Sequence, residues 1–302
     1  MAMRMGRAYQ RRSEPEAWNH ATKGPSMDSP LTVRFTKAAA LIVLMAVTLT
    51  ATSPAAISPG PVKGKGSGPC RTAKLRANLL CPDLRVARPS EMYLDRGTIE
   101  GKALLRSTND IQSRGRGPME LRGHRSRPRS MSVMQAIRRK GDGHRFVPSQ
   151  ARLRFFNVGY RWGGSYWKVR DPLRFELWTI GRRGNKLKRV RTGPKQFYCF
   201  RDLERTRPGR HSPESAVYPA CDQNPKADKV TLGTSVGWSD IYPSDYDHQW
   251  INVTGLRGCF AFVLRVDPKG LLVEMNERNN VSQRIVRLPY RRGRDSQNCP
   301  AP

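Results

Sequence analysis

The sequence predicts an all-β fold, an antiparallel β-sandwich with long loops. Three observations carry that expectation. Short runs of aromatic and β-branched residues recur along the chain, punctuated by Gly, Pro and Asn. Several of those runs alternate apolar with basic residues, the period of a half-buried strand. No window forms a convincing long amphipathic helix. Sheets with one apolar face must stack to bury it, which makes a sandwich the economical architecture. Hydrophobic residues are 37% of the 302, so a core can form only if the polar ends of the chain lie outside it.

At the N-terminus an uncharged apolar run, 38–51, follows Arg34 and Lys37 and precedes Thr52, Ser53, Ala55 and Ala56. That order of basic, apolar and small residues is the pattern of a secretory signal. The run is too short for a comfortable transmembrane helix, so no membrane span is expected in the mature chain. Met27 opens a more ordinary leader than Met1 does. Residues 1–56 are therefore read as extension and signal peptide. The Gly, Pro, Ser and Lys stretch 57–69 reads as a flexible linker, extending to 80, with the folded unit opening between Cys70 and Cys81. A β-sandwich domain is assigned to 81–290 and a polar tail to 291–302.

Within the domain, an extended strand and turn at 104–116 precede a second strand opened by Gly117 and Pro118. ARLRFF (151–156), LRFELWTI (173–180), KQFYCF (195–200) and QWINV (249–253) come next as strands. FAFVLRVD (260–267) leads through a Lys-Gly turn to LLVEM (271–275), also read as a strand. Asn279 and Asn280 suit a tight turn that tolerates positive φ, before a last strand, VSQRIVRL (281–288). Glu274 and Glu277 sit in this polar turn and are expected to be solvated.

Net charge is +31, from 55 Lys and Arg against 24 acidic residues. Only seven of the basic and three of the acidic residues lie in 1–56, so nearly all the excess belongs to residues 57–302. Such a field attracts an anionic cell-wall polymer or an acidic protein. No zinc finger, helix-turn-helix or other nucleic-acid signature is present, and neither a nucleophile elbow nor a phosphate-binding loop. Six cysteines, Cys70, Cys81, Cys199, Cys221, Cys259 and Cys299, lie downstream of the apolar run. None forms a C-x-x-C, and an even number behind an export signal favours disulfides. Six cysteines allow fifteen pairings. Cys199 with Cys221 is the favoured pair, because it closes one loop between two expected strands.

Four stretches taken together resemble the lysyl oxidase family, specifically its bacterial branch. They are CPDLRVARPSEMYL (81–94), LLRSTNDIQSRGRGPMELRG (104–123), WKVRDPLRFELWTI (167–180) running into KQFYCFRD (195–202), and the segment 240–286 from DIYPSDYDHQW to NNVSQRIV. The resemblance implies a copper amine oxidase that converts lysyl side chains to aldehydes, releasing peroxide and ammonia. Its organic cofactor, lysine tyrosylquinone, is made from one lysine and one tyrosine of the chain. The lysine position falls at Lys195 and the tyrosine position at Tyr242, with Tyr246 a nearby tyrosine of poorer spacing.

The metal positions depart from the family. Relatives hold copper with His-x-His-x-His, because alternate residues of a strand share a face and imidazole suits copper. Here those positions read Gly164, Tyr166 and Lys168. Glycine offers no ligand and an ammonium repels a cation. Downstream of the apolar run only His124, His144, His211 and His248 remain, and His248, near Tyr242, is the best lone substitute. The expectation is a secreted member of the family that holds no copper, builds no quinone and serves as a basic binding module. The aromatic and basic stretch YRWGGSYWK (160–168) is a candidate contact surface. The alternative is an active copper-dependent lysine oxidase with a non-standard metal site.

Overall fold

The computed structural model describes residues 68–156 and 165–300. The signal-like run 38–51, residues 57–67 of the linker stretch, and Gly164 lie outside the described residues. Among the described residues all regular structure is β. In chain order the strands are β1 (Leu79–Leu80), β2 (Leu84–Val86), β3 (Ser90–Asp95), β4 (Leu104–Ser113), β5 (Met119–Arg127), β6 (Ser130–Arg139), β7 (His144–Phe156) and β8 (Tyr166–Arg170). They continue with β9 (Leu173–Ile180), β10 (Lys186–Thr192), β11 (Phe197–Tyr198), β12 (Lys229–Thr234), β13 (Ser239–Tyr242), β14 (Trp250–Asn252), β15 (Gly258–Val266) and β16 (Val281–Leu288).

The strands form three antiparallel sheets. One runs β11-β8-β7-β6-β5-β12 with β1 added to β6; a second runs β10-β9-β15-β16; in the third β4 pairs with β2, β3, β13 and β14. Their apolar faces close on one core. Leu105 and Ile111 come from β4, Leu121, Leu153, Phe155 and Trp167 from the long sheet, and Phe175, Leu177, Phe262 and Val286 from the second sheet.

Local pattern explains the main strands. In β7 Ala151, Leu153 and Phe155 are buried while Arg152 and Arg154 are exposed, the two-residue alternation of a strand with one wet face. β15 is different: it lies between β9 and β16 and buries both faces. Phe260, Phe262 and Leu264 enter the main core, while Ala261 and Val263 pack with Ile285 in a smaller cluster outside it. A central strand covered on both sides has to be an almost continuous apolar run.

Two glycines of the segment 117–123 are there for space. A Cβ on Gly117 would lie 2.2 Å from the Leu80 carbonyl oxygen, and one on Gly123 would lie 2.6 Å from Leu153 Cδ1. Both distances are far inside contact, so any side chain would push strands apart.

Two expected strands are corrected. Residues 271–275 are irregular. Their backbone groups are taken by side chains rather than by a neighbouring strand: Asp267 accepts from Leu271 and Leu272 N–H, and Gln135 both accepts from Val273 N–H and donates to its carbonyl. KQFYCF shrinks to Phe197–Tyr198, since Cys199 N–H donates to the Tyr242 hydroxyl and the Phe200 carbonyl accepts from Gly233 N–H. The positive φ expected at Asn279 and Asn280 falls instead at Asp267 (40°) and Gly270 (61°).

Three disulfides join Cys70 to Cys81, Cys199 to Cys221 and Cys259 to Cys299. Cys70 and Leu79 are buried with Cys81 and Ile137 in a small cluster under β6. No helix among the described residues is long and apolar enough to cross a membrane.

Candidate functional site

Strand β4 is the platform of the site. Across one register its Asn109 faces Tyr242 of β13, and its Arg106 faces Trp250 of β14. From the long sheet, β8 pairs Val169 with Tyr198 of β11. Segments separated by many residues therefore bring Tyr166, Tyr198 and Tyr242 together.

The tightest contact is between Tyr198 and Tyr242. Their rings are stacked, with centroids 3.7 Å apart and planes 14° from parallel. Tyr246 meets Tyr242 edge-on at 6.2 Å. Beneath Tyr198 lies a buried amide network. Asn109 Nδ2 donates to Tyr198 Oη (3.0 Å), Tyr198 Oη donates to Gln249 Oε1 (3.0 Å), and Gln249 Nε2 donates to Gln196 Oε1 (3.0 Å). Gln196 in turn donates to the His248 carbonyl (2.8 Å). These bonds tie four side chains together in a buried site and fix the Tyr198 ring, while Asn109 Oδ1 has no partner among the described residues.

Arg106 secures the loop between β13 and β14. It is buried, pairs with Asp95 at 2.6 Å, and donates to the carbonyls of Ser244 and Tyr246. That clamp holds the backbone at Ser244 and Tyr246.

Burial sets the protonation states. Asp240 is fully buried, and neither carboxylate oxygen has a hydrogen-bond partner among the described residues. Burial pushes it well above the usual carboxylate range, with Arg201 opposing. Burial and then the neighbouring Asp240 push the Tyr242 phenol well up too, while the Cys199 N–H opposes. Tyr242 therefore keeps its proton at neutral pH.

Tyr166 and Lys168, expected from the resemblance to stand at metal-ligand positions, lie on one face of β8, with the fully buried Trp167 between them turned to the core. Lys168 Nζ sits 4.2 Å from the centroid of the Tyr166 ring. Burial lowers the Lys168 pKa and Asp247 raises it. His248 is half-buried; burial lowers its pKa, Asp247 raises it, and the cations Lys168 and Arg106 lower it. A phenol and an ammonium beside one imidazole make a poor donor set for copper, which wants several convergent nitrogens.

Lys195 is exposed. Burial of Trp167 limits the accessible part of the described aromatic and basic stretch to Tyr166 and Lys168.

One expectation about carboxylates is overturned. Glu274 is buried rather than solvated, and Glu277 is half-buried. With Asp267 they form the only group of three ionisable ligand-type side chains, among the described residues, that comes within 4.8 Å of one another. Glu274 accepts from Leu84 N–H (2.5 Å) and from Asn280 Nδ2 (2.9 Å). Burial pushes Asp267 up to about 6, and burial together with Asp267 pushes Glu277 up to about 7. The cluster holds the 267–280 turn against β2.

Sequence reasoning passed over Tyr198, Gln196 and Gln249, which it treated as ordinary strand residues. The only available signal was a tyrosine with two glutamines close to Lys195 and Tyr242, and that has no meaning until β4 supplies Asn109. Residues 177–298 match a protein-family model described as lysyl oxidase. The match takes in Lys195 and Tyr242 but begins after Tyr166 and Lys168. No curated protein matches the chain.

Proposed function

We propose that the chain, whose residues 177–298 match the lysyl oxidase family model, is a secreted member of that family that has lost oxidase chemistry and acts outside the cell as a basic binding module. One observation carries this reading: the Lys168 ammonium, 4.2 Å over the Tyr166 ring, stands where relatives by resemblance place metal-binding imidazoles. An ammonium offers no lone pair, and its charge opposes a second cation close by. Tyr242, held as a neutral phenol by burial and by Asp240, is not poised for oxidation. Lys195 is exposed.

The three disulfides suit an oxidising compartment. The net charge of +31 gives long-range attraction to an anionic cell-wall polymer or an acidic protein.

The competing function, a copper-dependent lysine oxidase with a non-standard metal site, would need Lys195, Tyr242 and His248 to converge. Purified protein is incubated with copper under air, desalted, analysed for metal and stained for quinone, with peroxide release from a lysine-rich peptide measured alongside. Substoichiometric copper, no stained band and no peroxide are expected. Stoichiometric copper with a stained band would overturn the reading.

A further inference from the structure

We propose that an arginine-lined groove on the outer face of β5–β8 is a binding site for a linear phosphodiester polyanion. The inference rests on the basic-module reading above and gives it a place and a ligand class.

The groove consists of two adjoining cavities of about 450 and 410 Å³ that share Pro128 and Arg154. The end of β5 contributes Arg127, the β5–β6 turn Arg129, β7 Arg152 and Arg154, and β8 Arg170. All five residues are exposed, with Arg129 also donating to the Phe155 carbonyl and Arg152 to those of Ser149 and Ala151. Arg152 and Arg154 are two residues apart on β7, with Leu153 buried between them. Across the ladder they face Ser132 and Ser130 of β6, short residues that leave the space open. Among the described residues no carboxylate pairs with Arg127, Arg129, Arg152 or Arg154; only Arg170 has an acid near it, Asp171 at 3.9 Å. Four exposed cations gathered without acidic partners repel one another, so the arrangement stabilises a bound anion more than the free protein.

The geometry favours phosphate. Arg129, Arg154 and Arg170 line one cavity from three different strands or turns. Donors arriving from several sides match a tetrahedral group better than a flat carboxylate, and guanidinium forks suit phosphate. The elongated line from Arg127 to Arg170 suits repeating charges rather than one ion. Phe156 and Phe197 close one end, with centroids 4.3 Å apart and planes 54° apart. Packed against each other in this way, they offer an apolar wall for an aliphatic spacer rather than a parallel platform for bases. Three disulfides suit an oxidising compartment. An extracellular polyol phosphate therefore fits better than a nucleic acid.

The test uses the full chain and an end-labelled synthetic poly(glycerol phosphate) of defined length, titrated over a range of salt. Two variants carry equal charge loss: R152S/R154S in the groove, and R182S/R183S in the exposed β9–β10 turn. R152S/R154S is expected to weaken binding at least about tenfold and to flatten the log–log salt slope by about 1.4, at roughly 0.7 per phosphate contact. R182S/R183S is expected to stay within about twofold of the parent, because charges beyond a Debye length are screened. Should R152S/R154S not fold, R154K keeps the charge, loses the fork, and is expected to weaken binding in the same direction.

Equal losses in both double variants would overturn the groove while leaving a diffuse basic binding module standing. Equal or tighter binding of polygalacturonate or of single-stranded DNA would overturn the phosphodiester-polyol assignment. No binding of any of the three polymers would overturn both the groove and the module.

Discussion

Tyr198 and Tyr242 stack face to face at 3.7 Å, although β11 and β13 belong to different sheets. The contact joins the long sheet to the β4 sheet, and its rigidity comes from beneath, where Asn109, Gln196 and Gln249 hold the Tyr198 hydroxyl.

Removing that hydroxyl should be costly. Tyr198→Phe leaves one Asn109 amide hydrogen without an acceptor in a dry site, at about 1–3 kcal/mol, while Gln249 Oε1 still accepts from Asn109. Tyr198→Ala adds a cavity and should cost about 3–5 kcal/mol. Urea unfolding followed by tryptophan fluorescence measures both; a Tyr198→Phe variant as stable as the parent would show that the network contributes nothing net.

Stability should fall as pH rises through the carboxylate cluster. Asp267 and Glu277 titrate near 6 and 7 in the folded protein, against roughly 4 when unfolded. A folded pKa above the unfolded value contributes stability fully present below about pH 4 and lost as pH climbs through 6 to 7. Denaturant midpoints should therefore be higher at pH 5 than at pH 8 at constant salt, and Glu277→Gln should flatten that dependence.

Restoring imidazoles should restore metal affinity. The triple variant G164H/Y166H/K168H places histidines at three alternate positions of the chain, the last two on β8. It should take up about one copper per chain, since three such nitrogens suit that ion. Lys168→His alone should not. Metal analysis after desalting decides, and copper already present in the parent protein would defeat the premise.

The three disulfides should differ in resistance to reduction. Cys70 and Cys81 are both fully buried, Cys199 is buried beside a half-exposed Cys221, and Cys259 and Cys299 are both partly exposed. Thiolate attack requires access. Mild reductant without denaturant should open Cys259–Cys299 first, as read by alkylation and peptide mass mapping. Loss of that 40-residue cross-link should lower stability by about 2–4 kcal/mol.

Strands with a one-sided or fully buried pattern were legible in the amino-acid pattern alone. LRFELWTI and VSQRIVRL coincide with β9 and β16, and ARLRFF is the end of β7. In β7 the side-chain period marks the buried face, whereas β9 and β16 were legible from their aromatic and β-branched content. Residues 271–275 misled because their apolar content reflects burial in a turn, with Asp267 and Gln135 supplying the hydrogen bonds that a strand would take from a neighbour. Glu274 misled for the same reason: whether a carboxylate in a polar turn is wet depends on what packs over it, here Leu84 and Asn280.

By itself the sequence determined the all-β class, the family resemblance and the basic excess, because each is a property of residue type and spacing along one segment. Only the tertiary structure decided that Tyr198 stacks on Tyr242, that Glu274 is buried, and that Arg127, Arg129, Arg152, Arg154 and Arg170 line one groove. Those are contacts between strands far apart in the chain, and they are set by pairing register and sheet stacking, which no local pattern records.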